Sequence, residues 1–358
     1  MQEESISFET KKIFYNPNMQ FCRSFFSLAA GALNGKLQVL DGFSATGIRG
    51  IRYQKENKNI QQIGFLEAND DAIPVLRKNL KRNKLKGKII HQLYEKYLAS
   101  GFFFYDLIEI DPFGTPVPYL WSTFYGQQKK KQFYLSVTAT DTAVLCGPEA
   151  RACQKNYHSK SLNNEFTHET GTRILIKRIM ESANEFDFGI VPLVSLSDRH
   201  YIKLLLKCDK GAAKAKANCE QLGYVSYCNN CAWRESSKRM KNECKSCNAT
   251  TDYAGPLWLG ALHDNRFLKK MLKLTKRKYA HIREIGKILG FMLDEADMPP
   301  FYYDLHVLAQ KWKLKGVPQM EMVLKKLRKR KFSAARTHFA PTAIKTNADF
   351  RAVQDILI

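Results

Sequence analysis

A chain of 358 residues with 57 Lys plus Arg against 34 Asp plus Glu carries a formal net charge of +23. That excess is too large for an ordinary solvated surface and favours a polyanionic partner, nucleic acid being the commonest. A basic membrane-surface protein is the competing reading, but there is no long, strongly apolar amphipathic helix to support it. Hydrophobic residues make up 44 %, ordinary for a globular protein. No run approaches the roughly 18 apolar residues of a membrane span, and Met1 to Ser5 lacks the basic and apolar regions of a secretory signal. The expectation is a soluble intracellular protein, cytoplasmic by default, with two or more domains, each with its own core. The oligomeric state stays open, and a monomer is compatible with the composition.

Residues 21 to 113 alternate strand-like and helix-like segments. Phe25 to Ala32 is apolar at helical spacing. Leu37 to Asp41 reads as a short buried strand ending on an acid, and Gly42 to Gly50 as a small-residue turn opening a helix. Ile63 to Glu67 is a second strand ending on an acid. Asn69 to Asn83 carries a helical pattern with acids early and bases late, matching the helix dipole. Lys88 to His91, Tyr105 to Asp111 and Phe133 to Thr138 follow as strands. This rhythm predicts a doubly wound α/β sheet with ligands at the strand carboxyl ends. Glu169 to Ala183 reads as a helix, and Phe188 to Val194 and Tyr201 to Leu206 as late strands. Composition shifts near Lys207, which suggests three parts: residues 1–207, a Cys-rich segment 208–254 and a basic part 255–358. The last is expected to be helical from Pro256. It holds one cluster at Arg266, Lys269, Lys270, Lys273, Lys276, Arg277 and Lys278, and another from Lys325 to Lys331. Asp304 to Lys313 and Met320 to Lys329 look like two helices joined by a Gly-Val-Pro turn, as in a helix-turn-helix or winged module.

The chemistry concentrates at three places. Asp41 to Gly50 is a loose glycine-rich loop whose glycines let the backbone approach a ligand. Glu67 ends the next strand, where an acid can bind both hydroxyls of a ribose. Asp111-Pro112-Phe113-Gly114 puts an acid, a rigid turn and an aromatic face at a strand end, a set suited to an exocyclic amine on a flat ring. Together these describe an S-adenosylmethionine enzyme. A dinucleotide or phosphate-loop reading lacks its Lys, Ser or Thr and its strict glycine spacing.

Cysteine usage adds a metal. Cys228 and Cys231 form one CxxC pair, Cys244 and Cys247 another, twelve residues apart. Two knuckles supplying four thiolates have the spacing of a closed, structural zinc ribbon with no open position for catalysis. Arg234, Lys238, Arg239, Lys241 and Lys245 decorate the knuckles and suggest that the ribbon also touches phosphate. The five other cysteines are scattered, and buried thiols in a reducing compartment are the expectation for most of them.

The chain resembles the tRNA (guanine-26, N2)-dimethyltransferase family along nearly its whole length. The resemblance is carried by Phe14 to Met19 with Arg23, by Leu40 to Arg52, and by Ile110 to Gly114. It continues through Val137 to Asp141 with Leu145 to Gly147, His168 to Arg173, Gly255 to Gly260, and Arg336 to Pro341. It implies a class I S-adenosylmethionine-dependent methyltransferase (Rossmann-like) domain, tRNA as partner, and dimethylation of a guanine N2 amine. It also implies roles. Asp111 is the catalytic acid-base residue at the Pro112 turn. Phe14 and Phe113 sandwich the flipped guanine. Arg23, at the methionine carboxylate, and Arg49 hold the cofactor with Asp41, and Glu67 binds the ribose. The family often has an acid after the third strand, near the adenine. Here Gln92, Leu93 and Tyr94 occupy that register, so backbone or apolar contacts from Leu93 and Tyr94 are expected instead. The rivals are an adenine-N6 methyltransferase of nucleic acid, a non-catalytic RNA-binding or chaperone protein keeping the fold, and a zinc-ribbon DNA-binding factor, which leaves residues 21 to 140 unexplained.

Overall fold

The computed structural model describes residues 1–276 and 279–358. Arg277 and Lys278 of the first basic cluster lie outside the described residues. The strand and helix alternation becomes a seven-stranded sheet: β1 (Leu37–Asp41), β2 (Ile60–Glu67), β3 (Lys88–His91), β4 (Leu107–Ile110), β5 (Gln132–Ala139), β6 (Phe188–Asp198) and β7 (Tyr201–Lys210). Their order across the sheet is β3-β2-β1-β4-β5-β7-β6. β1 to β5 run parallel, and β7 is antiparallel to both β5 and β6. Because β1 lies between β2 and β4, the crossovers leave it in opposite directions and open a crevice at the carboxyl ends.

Side-chain alternation sorts the two faces. Leu40, Ile108 and Ile110 pack with the helices Tyr94–Ala99, Val117–Gln127 and Thr167–Asn184. Val39 and Leu107 pack under α1 (Gln20–Ala32), α2 (Ile48–Glu56) and α3 (Ala72–Arg82). Asp41 and Glu109 share parity with Val39 and Leu107, and Lys203 shares it with Tyr201 and Leu205. Three charged side chains are thereby turned inward beneath α1 and α2, and all three are buried.

The Cys-rich segment forms a small antiparallel sheet of β8 (Leu222–Tyr227), β9 (Arg234–Ser237) and β10 (Asp252–Trp258), in the order β9-β8-β10. β10 runs through Pro256, where the pattern suggested a helix start; the first helix beyond it begins at Asn265. Gly255 and Pro256 fall at a register shift opposite Gly223 and Val225, a position where a strand tolerates a residue without an N–H. The boundary expected at 254/255 therefore lies inside a strand.

Farther on, helices Leu305–Lys311 and Met320–Lys329 are followed by a hairpin of β12 (Ala334–Arg336) and β13 (Ala343–Thr346). The short β11 (Tyr303–Asp304) completes that sheet by pairing with β13. Two helices are thus followed by a hairpin where the sequence suggested a helix-turn-helix or winged module. The expectation of separate cores is not met. Val225 and Trp258 of the ribbon, and Leu305, Leu327 and Ile344 of the carboxyl-terminal part, share one buried cluster with Ile110 and Leu135 of the large sheet and Ile174 of the helix Thr167–Asn184.

A buried ionic network joins the same parts. Glu169 accepts from Arg173 Nη2 at 2.8 Å, the Phe301 N–H at 3.0 Å and Lys345 Nζ at 3.0 Å. Lys345 also lies 3.1 Å from Glu295. Glu295 accepts from Thr337 Oγ1 at 2.6 Å and the His338 N–H at 2.9 Å, and pairs with the His338 ring. Burial alone would raise the Glu295 and Glu169 carboxyls. Lys345 and the His338 ring beside Glu295, and Lys345 and Arg173 beside Glu169, hold both below the ordinary value.

His263 joins His338 and Glu295 in a cluster whose ligand atoms lie within 4.8 Å of one another. The set does not suit a metal. His263 Nδ1 accepts the Ser195 N–H at 3.3 Å, which puts the ring proton of the neutral form on Nε2, and the carboxylate is already shared with Lys345. Burial, reinforced by His338, pushes His263 well below 6.5. The unfolded chain therefore takes up that proton first. This contribution to stability is full above about 6.5 and is lost as the pH falls through it; the depressed glutamates withdraw theirs below 4.5. Urea midpoints are expected to be flat near neutrality and to fall steadily once the pH drops under about 6.5. A midpoint that is level down to about pH 5 would show that the network adds nothing.

Candidate active site

The crevice at the switch point holds a cavity of about 730 Å³. Its floor is the loop after β1, whose shape the local sequence dictates. The Gly42 N–H donates to the Glu109 carbonyl at 3.0 Å, and the Ser44 N–H to the Leu66 carbonyl at 3.1 Å, so the loop is stitched to both neighbouring strands. Gly47 stands at φ +78°, a conformation glycine adopts without strain, just before α2. Asp41 lies behind this loop and does not line the cavity; it accepts the Gly50 N–H at 3.1 Å. Burial pushes its carboxyl up to about 6. A Cβ on Gly42 would stand 2.4 Å from the Tyr94 ring and 2.7 Å from the Glu109 carbonyl oxygen.

Glu67 ends β2 on the cavity wall. Its Oε2 accepts the Ala45 N–H at 2.6 Å and its Oε1 the Asn69 N–H at 2.8 Å. The carboxylate therefore braces the loop while facing the space a ligand would take. Leu93 and Tyr94 do not line the cavity. Leu93 is exposed at the start of its helix. Tyr94 is buried behind Phe43, its ring stacked 5.1 Å away and its hydroxyl 2.8 Å from Thr123, so it supports the wall through Phe43.

The mouth is aromatic. Phe14 is 59 % and Phe113 78 % exposed, which removes both from the core. Their rings meet edge to face with centroids 4.9 Å apart. A base entering between them would have to part the rings and turn them parallel. Phe113 is carried by the turn Pro112–Gly114, with Gly114 at φ +75°. Thr140, at the end of β5, pins that turn twice. Its N–H donates to the Gly114 carbonyl at 2.9 Å, and its Oγ1 accepts the Gly114 N–H at 2.8 Å.

Phe14 is positioned, through its neighbour Tyr15, by a buried charge near the amino terminus. Glu3, in a hairpin of Gln2–Glu3 with Ile6–Ser7, accepts from Arg23 Nη2 at 2.6 Å, Arg52 Nη1 at 2.7 Å and the Tyr15 hydroxyl at 2.8 Å. Burial would raise the Glu3 carboxyl, but the two arginines lower it, while Tyr15 is pushed up to about 12 by burial and by Glu3. Arg23 is buried, so it is not a solvent charge, and it lines the cavity.

Asp111 is half-buried at the end of β4, and Arg49 Nη2 donates to its Oδ2. Arg49 Nη1 reaches Glu109 at 3.0 Å. Lys203 donates to the same Glu109 and, at 2.8 Å, to Thr138. Glu109, Lys203 and Glu3 were missed in the sequence, as were Thr140 and, at the tip of the β6–β7 hairpin, the cavity-lining His200. The available signal was an acid inside an apolar strand, two residues before another acid and hence on the same side of that strand.

The four ribbon cysteines bring their sulfurs within 4.8 Å of one another. Cys228 and Cys247 are 3.5 Å apart, and Cys231 and Cys244 3.6 Å. These separations far exceed the about 2.05 Å of a disulfide and approach the roughly 3.8 Å edge of a tetrahedron with sulfur about 2.3 Å from its centre. Arg234, expected on the ribbon surface, is instead buried. It pairs with Glu165 at 2.6 Å and bonds the Tyr302 carbonyl, which fixes the ribbon to the carboxyl-terminal part. Lys238, Arg239 and Lys245 remain exposed. So do Arg266, Lys269, Lys270, Lys273 and Lys276, with Phe267, Leu268 and Met271 buried beneath them.

Comparison with known proteins fits this geometry. A family model described as N2,N2-dimethylguanosine tRNA methyltransferase matches residues 1–358. The chain belongs to that family. It is 33 % identical over 353 residues to a tRNA (guanine(26)-N(2))-dimethyltransferase of Methanothermobacter thermautotrophicus, covering 96 % of this chain and 92 % of the relative. It is 33 % identical over 357 residues to a tRNA (guanine(26)-N(2)/guanine(27)-N(2))-dimethyltransferase of Aquifex aeolicus, covering 95 % and 88 %. A solved structure of Trm1 from Pyrococcus horikoshii with S-adenosyl-L-methionine superposes with a TM-score of 0.90 at 30 % identity, covering 100 % of this chain and 99 % of the other. The dimethyltransferase family thus extends across all three parts of the chain. Gly42→Ala is expected to lower stability by about 1–3 kcal/mol, because the added carbon meets backbone that cannot step aside. An unchanged thermal midpoint would mean that the loop is free to move.

Proposed function

We propose that this chain transfers two methyl groups from S-adenosylmethionine to the exocyclic N2 of a guanosine in tRNA, at position 26 by similarity to its relatives. The observation that carries the reading is the cavity itself. Glu67, Arg23 and Asp111 line it together with two exposed phenylalanines, Phe14 and Phe113.

S-adenosylmethionine supplies an activated methyl group when bound. The residues present suit it. Glu67 would accept from the ribose hydroxyls. Arg23, whose Nε and Nη2 are committed to Glu3 and to the Asn16 carbonyl, has Nη1 left for a carboxylate. Phe43 adds an apolar wall. The guanine amine is a poor nucleophile because its lone pair is delocalised into the ring, so positioning must supply much of the rate. Phe14 and Phe113 would hold the base flat. Asp111 would accept a hydrogen bond from the amine and take its proton as the nitrogen gains the methyl. The exposed lysines and arginines of the carboxyl-terminal part and the ribbon would grip phosphates and select the nucleotide. A structural zinc ion on Cys228, Cys231, Cys244 and Cys247 fits the sulfur tetrahedron, and it would stabilise the ribbon rather than act in the chemistry.

Incubation of unmodified bulk tRNA with labelled S-adenosylmethionine, followed by nucleoside mass spectrometry, is expected to yield N2,N2-dimethylguanosine. N6-methyladenosine, or tight tRNA binding without label, would overturn the reading. Asp111→Ala is expected to lower turnover by about 10²–10⁴-fold while tRNA affinity changes by less than about tenfold. A collapse of tRNA binding would instead make Asp111 a recognition residue. Cys228→Ser is expected to lose zinc and lower the thermal midpoint together; zinc-free protein of normal stability would refute the ribbon metal.

A further inference from the structure

We infer that Glu109 and Lys203 are positioning residues for methyl transfer: they hold Arg49 so that its guanidinium fixes one oxygen of Asp111 and leaves the other to the guanine amine. This rests on the function proposed above and adds two residues to it. Four charges stand in alternation across three elements: Lys203 on β7, Glu109 on β4, Arg49 on α2 and Asp111 at the end of β4. Lys203 and Glu109 have no exposed side chain, and Arg49 is one-tenth exposed. Arg49 bridges two carboxylates with two different nitrogens, Nη1 to Glu109 at 3.0 Å and Nη2 to Asp111 Oδ2. A planar fork held at both tines fixes a direction, which a single contact would not.

Glu109 is itself over-determined. Besides Arg49 and Lys203 it accepts the Tyr53 hydroxyl at 2.9 Å. Lys203 is anchored by Thr138 and lies 5.0 Å from the Phe26 ring. Cys22 from α1, Asp41 from β1 and Ser136 from β5 face the same cluster. Burial keeps the Cys22 thiol up and neutral. The cluster therefore reaches the cavity through Arg49 and Asp111, which both line it, while Glu109 and Lys203 do not. Lys203 neutralises Glu109, so Glu109 does not draw Arg49 fully to itself. Glu109 in turn stops Arg49 from swinging over Asp111 and covering both oxygens.

This wiring predicts opposite effects from two neighbouring substitutions. In Lys203→Met, Glu109 claims Arg49 and Asp111 loses its cation. In Glu109→Gln, Arg49 is left to Asp111 alone. The experiment is the pH profile of kcat at saturating S-adenosylmethionine, with folding checked by circular dichroism. The acid limb is expected to move up by about 0.5–1 pH unit in Lys203→Met and down by a similar amount in Glu109→Gln. Lys203→Arg should restore the limb of the unaltered enzyme. The limb should persist in an Asp41→Asn background; its disappearance there would assign the titration to Asp41 and overturn the inference. Folded variants that lose rate without moving the limb, or that move it the same way, would also overturn it and leave the pair purely structural. If either buried variant fails to fold, Tyr53→Phe takes its place. Removing that hydroxyl frees Glu109 to pull on Arg49, so the limb should rise by about 0.3 unit, and no shift overturns the inference. Should the unaltered enzyme make no methylated guanosine, the proposed function falls. Should it do so while the folded variants show no opposed shift, only this inference falls.

Discussion

A carboxylate with no exposed surface, in the middle of a parallel sheet, is the constraint on which the active end of this molecule depends. Glu109 cannot stay ionised there without cations, because taking a lone charge out of water costs several kcal/mol. The fold supplies Lys203 from the antiparallel strand β7 and Arg49 from the first turn of α2. Meeting that requirement fixes the start of α2 against the end of β4, and hence the glycine loop against the Asp111 corner. The Gly42 N–H on the Glu109 carbonyl binds the same two pieces through the backbone. Loop, helix and corner are thus set by one residue's electrostatic needs.

Glu3 applies the same logic to the mouth. Its carboxylate gathers Arg23 from α1, Arg52 from α2 and the Tyr15 hydroxyl. The segment that follows the amino-terminal hairpin is thereby drawn over the sheet, and Phe14 is delivered opposite Phe113. An exposed aromatic on an untethered terminal segment would collapse onto the nearest apolar surface. Here the adjoining Tyr15 is held by the buried Glu3 carboxylate, so Phe14 remains at the opening.

The sheet was legible because its strands announce themselves locally. Leu37–Asp41 and Lys88–His91 have the bounds read from their apolar pattern, and the acids at strand ends marked the crevice. The Asp111 corner was legible only in company: strand-end Asp-Pro is common turn chemistry, and it was the glycine loop and Glu67 upstream that marked it. What was hidden depends on contacts distant in sequence. Nothing local marks Glu109 or Lys203 within its strand, because the partners of Glu109 lie 60 and 94 residues away. Pro256 misled for the opposite reason. Its helix-starting habit is local, whereas the bulge that admits it to β10 is set by Gly223 on another strand. Tyr94 had the right register for an adenine contact, yet its hydroxyl found Thr123 and its ring found Phe43, and burial won.

On the proposed function, the shared core of the three parts serves the energetics of bringing a stacked base to the half-buried Asp111. Extruding a nucleotide costs a few kcal/mol, and each aromatic that stacks on it returns about 1–3 kcal/mol. Phe14 and Phe113 together would do little more than offset the extrusion. Selection of one nucleotide must then come from phosphate contacts elsewhere on the tRNA, and such contacts orient the substrate only if their spacing from the pocket is fixed. A flexible tether between the basic helices and the catalytic sheet would leave the affinity but lose the register. The Arg173–Glu169–Lys345–Glu295 network and the buried Arg234–Glu165 pair remove that freedom. Groups this well paired contribute modestly to stability beyond what apolar residues of the same volume would give. Their directionality holds the parts in one arrangement, which apolar packing alone specifies less sharply. On the proposed function, the surface charge and the charges buried beneath it would act in sequence: the first would bring the polyanion in, and the second would fix the distance from its backbone to Asp111.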